Sequence, residues 1–153
     1  MFFITRNKLA LSILIIITVI SAFIKLYPTN LNEIYGSHSL EHYTKMKIGH
    51  SNSINEPTTY KTIYDFKNIN GALDYLSSFK LGEIENFSFK KYASLESYQI
   101  MITNDKKEIF SAAIRGNKYI FFNLPNGDIK CYKILNDTFD MDYFDSLYNT
   151  GSM

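Results

Sequence analysis

Residues 96–135 read ESYQIMITNDKKEIFSAAIRGNKYIFFNLPNGDIKCYKIL, and their pattern decides the fold. Within them Tyr98, Ile100 and Ile102 alternate with Ser97, Gln99 and Thr103, the period-two signature of a strand with one buried face. Reversal signals divide the residues after Thr103. Asn104–Lys107 supplies the first, and Arg115-Gly116-Asn117 the second, where glycine accepts positive φ without a Cβ clash. The third is Pro125-Asn126-Gly127-Asp128, whose Asn-Gly pair suits a type I′ turn. Connections this short cannot join parallel strands, so residues 96–103, 108–114, 118–124 and 128–135 predict an antiparallel meander.

Upstream, IENFSFKKYA at 84–93 predicts another strand. Before it, Asp65 can cap a helix, because its carboxylate can accept from free first-turn amides while Phe66, Ile69, Leu73, Leu76 and Phe79 follow at helical spacing. Gly71 weakens this helix by about 1 kcal/mol relative to alanine, and Lys80–Gly82 ends it. TYKTIY at 59–64 and LEHYTKMKI at 40–48 read as short strands, the latter with Thr44, Met46 and Ile48 on one face and Tyr43, Lys45 and Lys47 on the other. Gly49–Pro57 reads as a loop between them. Downstream, DTFDMDYFDSLYN at 137–149 predicts a short helix capped by Asp137 or Asp140, with Phe144, Leu147 and Tyr148 as its apolar side.

The N-terminus has a different texture. From Leu9 to Ile24 there is no charge, and only Ser12, Thr18 and Ser21 interrupt the apolar run. Extended to Lys25 and Tyr27, residues 9–27 are just long enough to cross a bilayer core of about 30 Å as a helix, since a terminal lysine can reach the headgroups. Arg6 and Lys8 precede the segment and Lys25 alone follows it closely, which predicts a cytoplasmic N-terminus and an outside domain. Tyr27 and Pro28 mark the exit. A cleaved signal peptide is the alternative, on account of the small residues Ser21 and Ala22, and would give a secreted protein; the A-x-A pattern is absent. A buried core helix is a further reading, disfavoured because the run is apolar all round.

The expected class is therefore α+β: an N-terminal transmembrane helix, then an antiparallel β-meander sheet with one long and one short helix packed on it. Residues 1–27 form a cytoplasmic tip and anchor, 28–39 a tether of turn formers, and 40–150 an extracytoplasmic domain. With 153 residues there is room for one domain. Of 16 Lys and Arg, Arg6, Lys8 and Lys25 lie in the first 27 residues, leaving 13 against 15 acids beyond them, so no basic stripe suits nucleic acid. Cys131 is the only cysteine, which excludes an intramolecular disulfide and, far from the anchor, a lipid attachment there.

The runs SYQIMI, IRGNKYIFF and NGDIKCYKI, preceded by a helix with Asn and Leu, resemble small exported bacterial domains of unknown function. The resemblance covers about the last two thirds of the chain. It implies a domain tethered by a lipid or an N-terminal helix and implies no activity.

Chemistry-bearing patterns are sparse. His38-Ser39-Leu40-Glu41-His42 spells H-x-x-E-H, a zinc-peptidase pattern that needs a helix to bring both imidazoles onto one face. Gly36 and the missing apolar stripe disfavour that helix, and no third ligand stands out. His50 adds a third histidine in a segment expected to be an exposed loop, enough for adventitious metal binding only. Asp137, Asp140, Asp142 and Asp145 crowd the C-terminal segment, but a calcium loop also needs a central glycine and a closing glutamate; helix-start acids explain them better. Cys131 has no patterned base and is expected to be a packed thiol. The 12 Tyr and 12 Phe fall mostly on predicted strands, at Phe87, Phe89, Tyr98, Phe110, Tyr119, Phe121, Phe122 and Tyr132, and are expected to pack.

These readings favour a non-enzymatic, membrane-anchored binding or interaction module without a cofactor, held in the lipid bilayer through residues 9–27 and meeting a protein or cell-envelope partner. A small zinc-dependent hydrolase using His38, Glu41 and His42, or a structural subunit of a membrane complex, are the alternatives.

Overall fold

Cross-strand register places the apolar residues of the sheet. The computed structural model describes residues 10–19, 28–35, 43–53, 56–104, 107–124 and 126–153. Residues 10–19 are helical (α1), and Leu31–Tyr35 forms α2. Strands β1 (Lys45–Ser51) and β2 (Thr59–Ile63) precede α3 (Phe66–Ser77). After β3 (Leu81–Ile84) and a single 3-10 turn at Phe89–Tyr92 come β4 (Ser97–Thr103), β5 (Glu108–Arg115), β6 (Tyr119–Asn123), β7 (Ile129–Ile134) and α4 (Met141–Thr150). The strands form a seven-stranded sheet in the order β2-β1-β4-β5-β6-β7-β3, antiparallel at every pairing.

The fold is thus α+β, and β4–β7 are the expected meander. The chain departs from a simple meander at both flanks, with the β1–β2 hairpin beside β4 and β3 beside β7. The two long helices are nearly equal, 12 residues in α3 and 10 in α4.

One face of the sheet carries the main core. Met46 sits opposite Ile102, Ile48 opposite Ile100, and Ile100 opposite Ala112, so the period-two alternation aligns into rows across strands. Ile48, Ile100, Ile102, Ile114 and Ile120 are all 0% exposed. Ile69, Ala72, Leu73 and Leu76 of α3 and Phe144 and Leu147 of α4 close over these rows. Fully burying such a side chain is worth about 1.5–3 kcal/mol. Aromatic contacts tie the layer together: Phe139 lies 4.4 Å from Phe144, and Tyr75 5.0 Å from both Phe79 and Tyr143.

Both expected caps form. The Asp65 carboxylate accepts from the Lys67 amide at 3.1 Å, and that of Asp140, rather than Asp137, accepts from Tyr143 at 3.0 Å. Phe66 departs from its stripe: it is exposed, 5.6 Å from Tyr43.

The loop expected at Gly49 starts later, because β1 runs on to Ser51 in register with β4. Tyr60 lies flat over Gly49, where a Cβ would stand 2.6 Å from its ring, so the ring covers the gap a glycine leaves in a strand. The strand expected over 84–93 ends at Ile84; Asn86 has φ 56° and the 3-10 turn comes after it. That segment crosses the opposite sheet face, where Tyr92, Phe121 and Cys131 form a second buried cluster with Phe87 and Leu95 against it. The 124–128 reversal is not type I′, which needs positive φ at both central residues; among the described residues there only Gly127 has it (87°), and its amide donates to Leu124.

Residues 28–35 join the domain instead of running as a free tether. Leu31 is 0% exposed, and the Tyr35 hydroxyl donates toward the carbonyls of Ser111 and Asn123 at 3.0 and 2.6 Å. The expected transmembrane helix over 9–27 is described only at 10–19, where every residue is exposed and so adds nothing to the core. Among the described residues no helix is long and apolar enough to cross a membrane.

Two substitutions check this packing in chemical unfolding of the full chain. Phe144→Ala should lose about 3–5 kcal/mol, and Asp140→Ala about 1 kcal/mol. Equal effects of the two would contradict the layer described.

Candidate functional site

The sheet has two edges and two faces; each edge is bridged at one residue and one face is covered by helices. Each edge strand is bridged from outside by a chain segment. Thr29 and Leu81 exchange amide–carbonyl bonds of 2.8 and 2.9 Å on β3, and Thr62 and Ser152 bonds of 2.8 and 3.0 Å on β2. Each edge strand is thus engaged from outside at one residue, Leu81 and Thr62, which interrupts the row an added strand would need. The α3–α4 layer covers one face. On the other, the 85–96 segment covers β5, β6 and β7, and among the described residues the β2-β1-β4 half is left uncovered.

That half-face is built from the alternate residues of three strands. Lys45, Lys47 and Gly49 of β1 stand beside Tyr60 and Thr62 of β2 and Gln99 and Met101 of β4. The Tyr60 hydroxyl donates to Gln99 Oε1, which fixes the ring over Gly49. Tyr60 and Lys47 are exposed, and Gln99 and Met101 partly so. A flat aromatic, an adaptable thioether, an amide and two ammonium groups form a surface suited to grip a partner by contact; it brings together no nucleophile and base.

His50 lies on the helix-covered face. Its ring stacks on Tyr98 at 4.8 Å and 14°, and its Nε2 meets Glu96 Oε1 at 2.7 Å. The Tyr98 hydroxyl donates to Asp145. Burial first, then that carboxylate, pushes the Tyr98 phenol well above its ordinary range, so it stays a donor. Tyr148 packs edge-on to His50 at 5.9 Å and shares a 2.7 Å bond with Thr59, while Lys61 Nζ lies 4.5 Å over the Tyr148 ring. A histidine oriented by an acid is two parts of a nucleophilic triad. The third part is missing among the hydroxyls nearest in register, since Thr59 is bonded to Tyr148 and Ser51 to the Ser53 and Glu56 carbonyls. The cluster pins the end of α4 to β1, β2 and β4.

The other chemistry-bearing residues are dispersed or engaged in local structure. His38, Glu41 and His42 lie outside the described residues, and among those described no group of three metal-ligating side chains occurs. Asp137, Asp140 and Asp142 line a depression of about 490 Å³ with Tyr75, but Asp137, Asp140 and Tyr75 are used locally. Asp140 caps α4, its amide donates to the Tyr75 hydroxyl at 2.7 Å, and Asp137 accepts from Thr138 at 2.7 Å. Asp145 serves Tyr98. Cys131 is 0% exposed on the second cluster, and burial pushes its thiol up to about 11, which makes it a packing group at neutral pH.

Arg115 was not legible as more than a turn residue. It is 7% exposed, with Nε and Nη1 buried and without a hydrogen-bond partner among the described residues. Its alternation with Ser111 and Ala113 is the sequence signal that puts it on the face of Phe121 and Cys131. Compared with protein families, curated proteins and solved structures, the chain finds no match in any of the three.

Cys131 gives a pH dependence with a definite sign. A thiol whose folded pKa is raised stabilises the fold below its unfolded value and loses that contribution as pH rises through the folded value. Stability should therefore fall between pH 9.0 and about 11, less steeply in Cys131→Ala, and native Cys131 should alkylate far more slowly than the unfolded thiol. Identical pH slopes and fast native labelling would refute the burial.

Proposed function

We propose that this chain is a membrane-anchored, extracytoplasmic binding module without catalytic activity, and that it meets a protein or cell-envelope partner through the uncovered β2-β1-β4 half-face. The observation that carries the binding reading is that half-face: edges bridged, one face under helices, the other half covered, and Tyr60, Lys47, Gln99 and Met101 left facing outward.

The anchor reading is supported by residues 10–19. Leu11, Ile13, Leu14, Ile15, Ile16, Ile17 and Val19 are each about half exposed, between 49% and 61%. Exposed aliphatic surface on every side of a helix is unfavourable in water and favourable in lipid. Arg6 and Lys8 ahead of the run support an inside N-terminus.

Two measurements test this reading. Replacing Ile13, Ile15 and Ile17 together with aspartate should move the chain out of the alkali-resistant membrane fraction; retention there would sink the anchor. In the membrane-bound chain, the triple variant Lys47→Ala, Tyr60→Ala, Met101→Ala should lose the crosslinked partners of the wild type, while Asp74→Ala on α3 keeps them. An unchanged partner set would remove the half-face from consideration.

A further inference from the structure

Arg115 closes β5 in a row that runs across the covered side of the sheet: Ser97, Arg115, Tyr119 and Lys133 are successive cross-strand partners. Directly opposed residues on one face have Cβ atoms about 4.5–5.5 Å apart. The segment above closes over this row. Tyr92 packs on Tyr119 at 4.5 Å, and Leu95 stands 3.3 Å from where a Gly116 Cβ would be. Under this cover Ser97 is 2% exposed and Arg115 7%.

A guanidinium so placed is an energetic anomaly. Desolvation lowers its pKa, but arginine starts so high that it remains charged at neutral pH. Buried charges are normally paired, because an unpaired one forfeits its hydration with nothing in exchange. Here Nε and Nη1 meet no acceptor among the described residues. Glu96, the acid next to its register partner Ser97, turns its carboxylate to His50 instead. The next charge in the row, Lys133, is a second cation.

We infer that Arg115 is the anchor of a binding site for a small free oxyanion, a phosphate or carboxylate group, beneath the 92–96 segment, with the Ser97 and Tyr119 hydroxyls beside it. The planar fork of a guanidinium matches two oxygens of such a group, and hydroxyls add donors of the same polarity. Because Nε and Nη1 have almost no accessible surface, the 92–96 cover must open to admit the anion, which a small free anion permits more readily than a lipid headgroup fixed in a bilayer. The site depends on the sheet and the 92–96 cover, and stands whether or not residues 10–19 enter a membrane.

The test is thermal unfolding of the full chain in a non-ionic detergent, titrated with inorganic phosphate or acetate against chloride at constant ionic strength. The wild type should show a saturable upward shift of its midpoint with at least one of the two anions, as expected when a ligand binds only the folded state. Arg115→Met should lose the shift and, without either anion, be at least as stable as the wild type, because it removes an unpaired charge while keeping the apolar stem. Equal responses of the two proteins, or no saturable response of the wild type to either anion, would overturn the site. Should Arg115→Met fail to fold, the Arg115 Nε–H resonance of the wild type decides: a saturable displacement by phosphate or acetate supports the site, and an unmoved resonance refutes it.

Discussion

Everything in this protein depends on the burial of one face of an antiparallel sheet at β1, β4 and β5. Side chains on a strand alternate with period two, so a single register error would carry Ile48, Ile100 and Ala112 to the wrong face together. Their alignment opposite one another gives α3 and α4 one continuous apolar surface to cover. The helices contribute matching residues, such as Leu76 and Phe144, both at or below 1% exposure. Packing of those stripes, more than helix propensity, holds elements of this length in place.

The second face obeys a different logic. It needs cover only where Phe121 and Cys131 make it apolar, and the 85–96 segment supplies that cover with Phe87, Tyr92 and Leu95. Over β1 and β2 the same face carries Lys45, Lys47 and Thr62, polar side chains that need no apolar cover. The boundary between covered and uncovered halves is thus set by side-chain polarity, and the open half-face is the part the fold does not use. Arg115 lies on the covered side of that boundary and is the residue whose polarity its surroundings fail to match.

Much of this was legible from the order of residues. Tyr98, Ile100 and Ile102 announce a strand and its buried face, and Asp65 announces its helix through a carboxylate that can reach a free amide. Three features of the fold were not legible, each for a tertiary reason. Gly49 and His50 look like loop residues, and only the Tyr60 ring over the glycine and the Glu96 and Tyr98 contacts of the histidine make them a strand. Phe87 and Tyr92 have strand-like chemistry, yet the positive φ of Asn86 turns the chain away and makes them a lid. Leu31 and Tyr35 sit among turn formers with no periodicity and are recruited by the core. Of the site, the residue types were visible but not their grouping, since Tyr60, Lys47 and Met101 meet only through register.

Among the described residues one half of one sheet face is open, while the other half and the opposite face are covered. Side-chain NMR of the full chain with a soluble nitroxide measures this most directly. The account predicts strong broadening of the Met101 methyl and Tyr60 ring signals, with the Ile100 and Ile102 methyls and the Phe121 ring unaffected. A Met101 methyl as well protected as the Phe121 ring would contradict it.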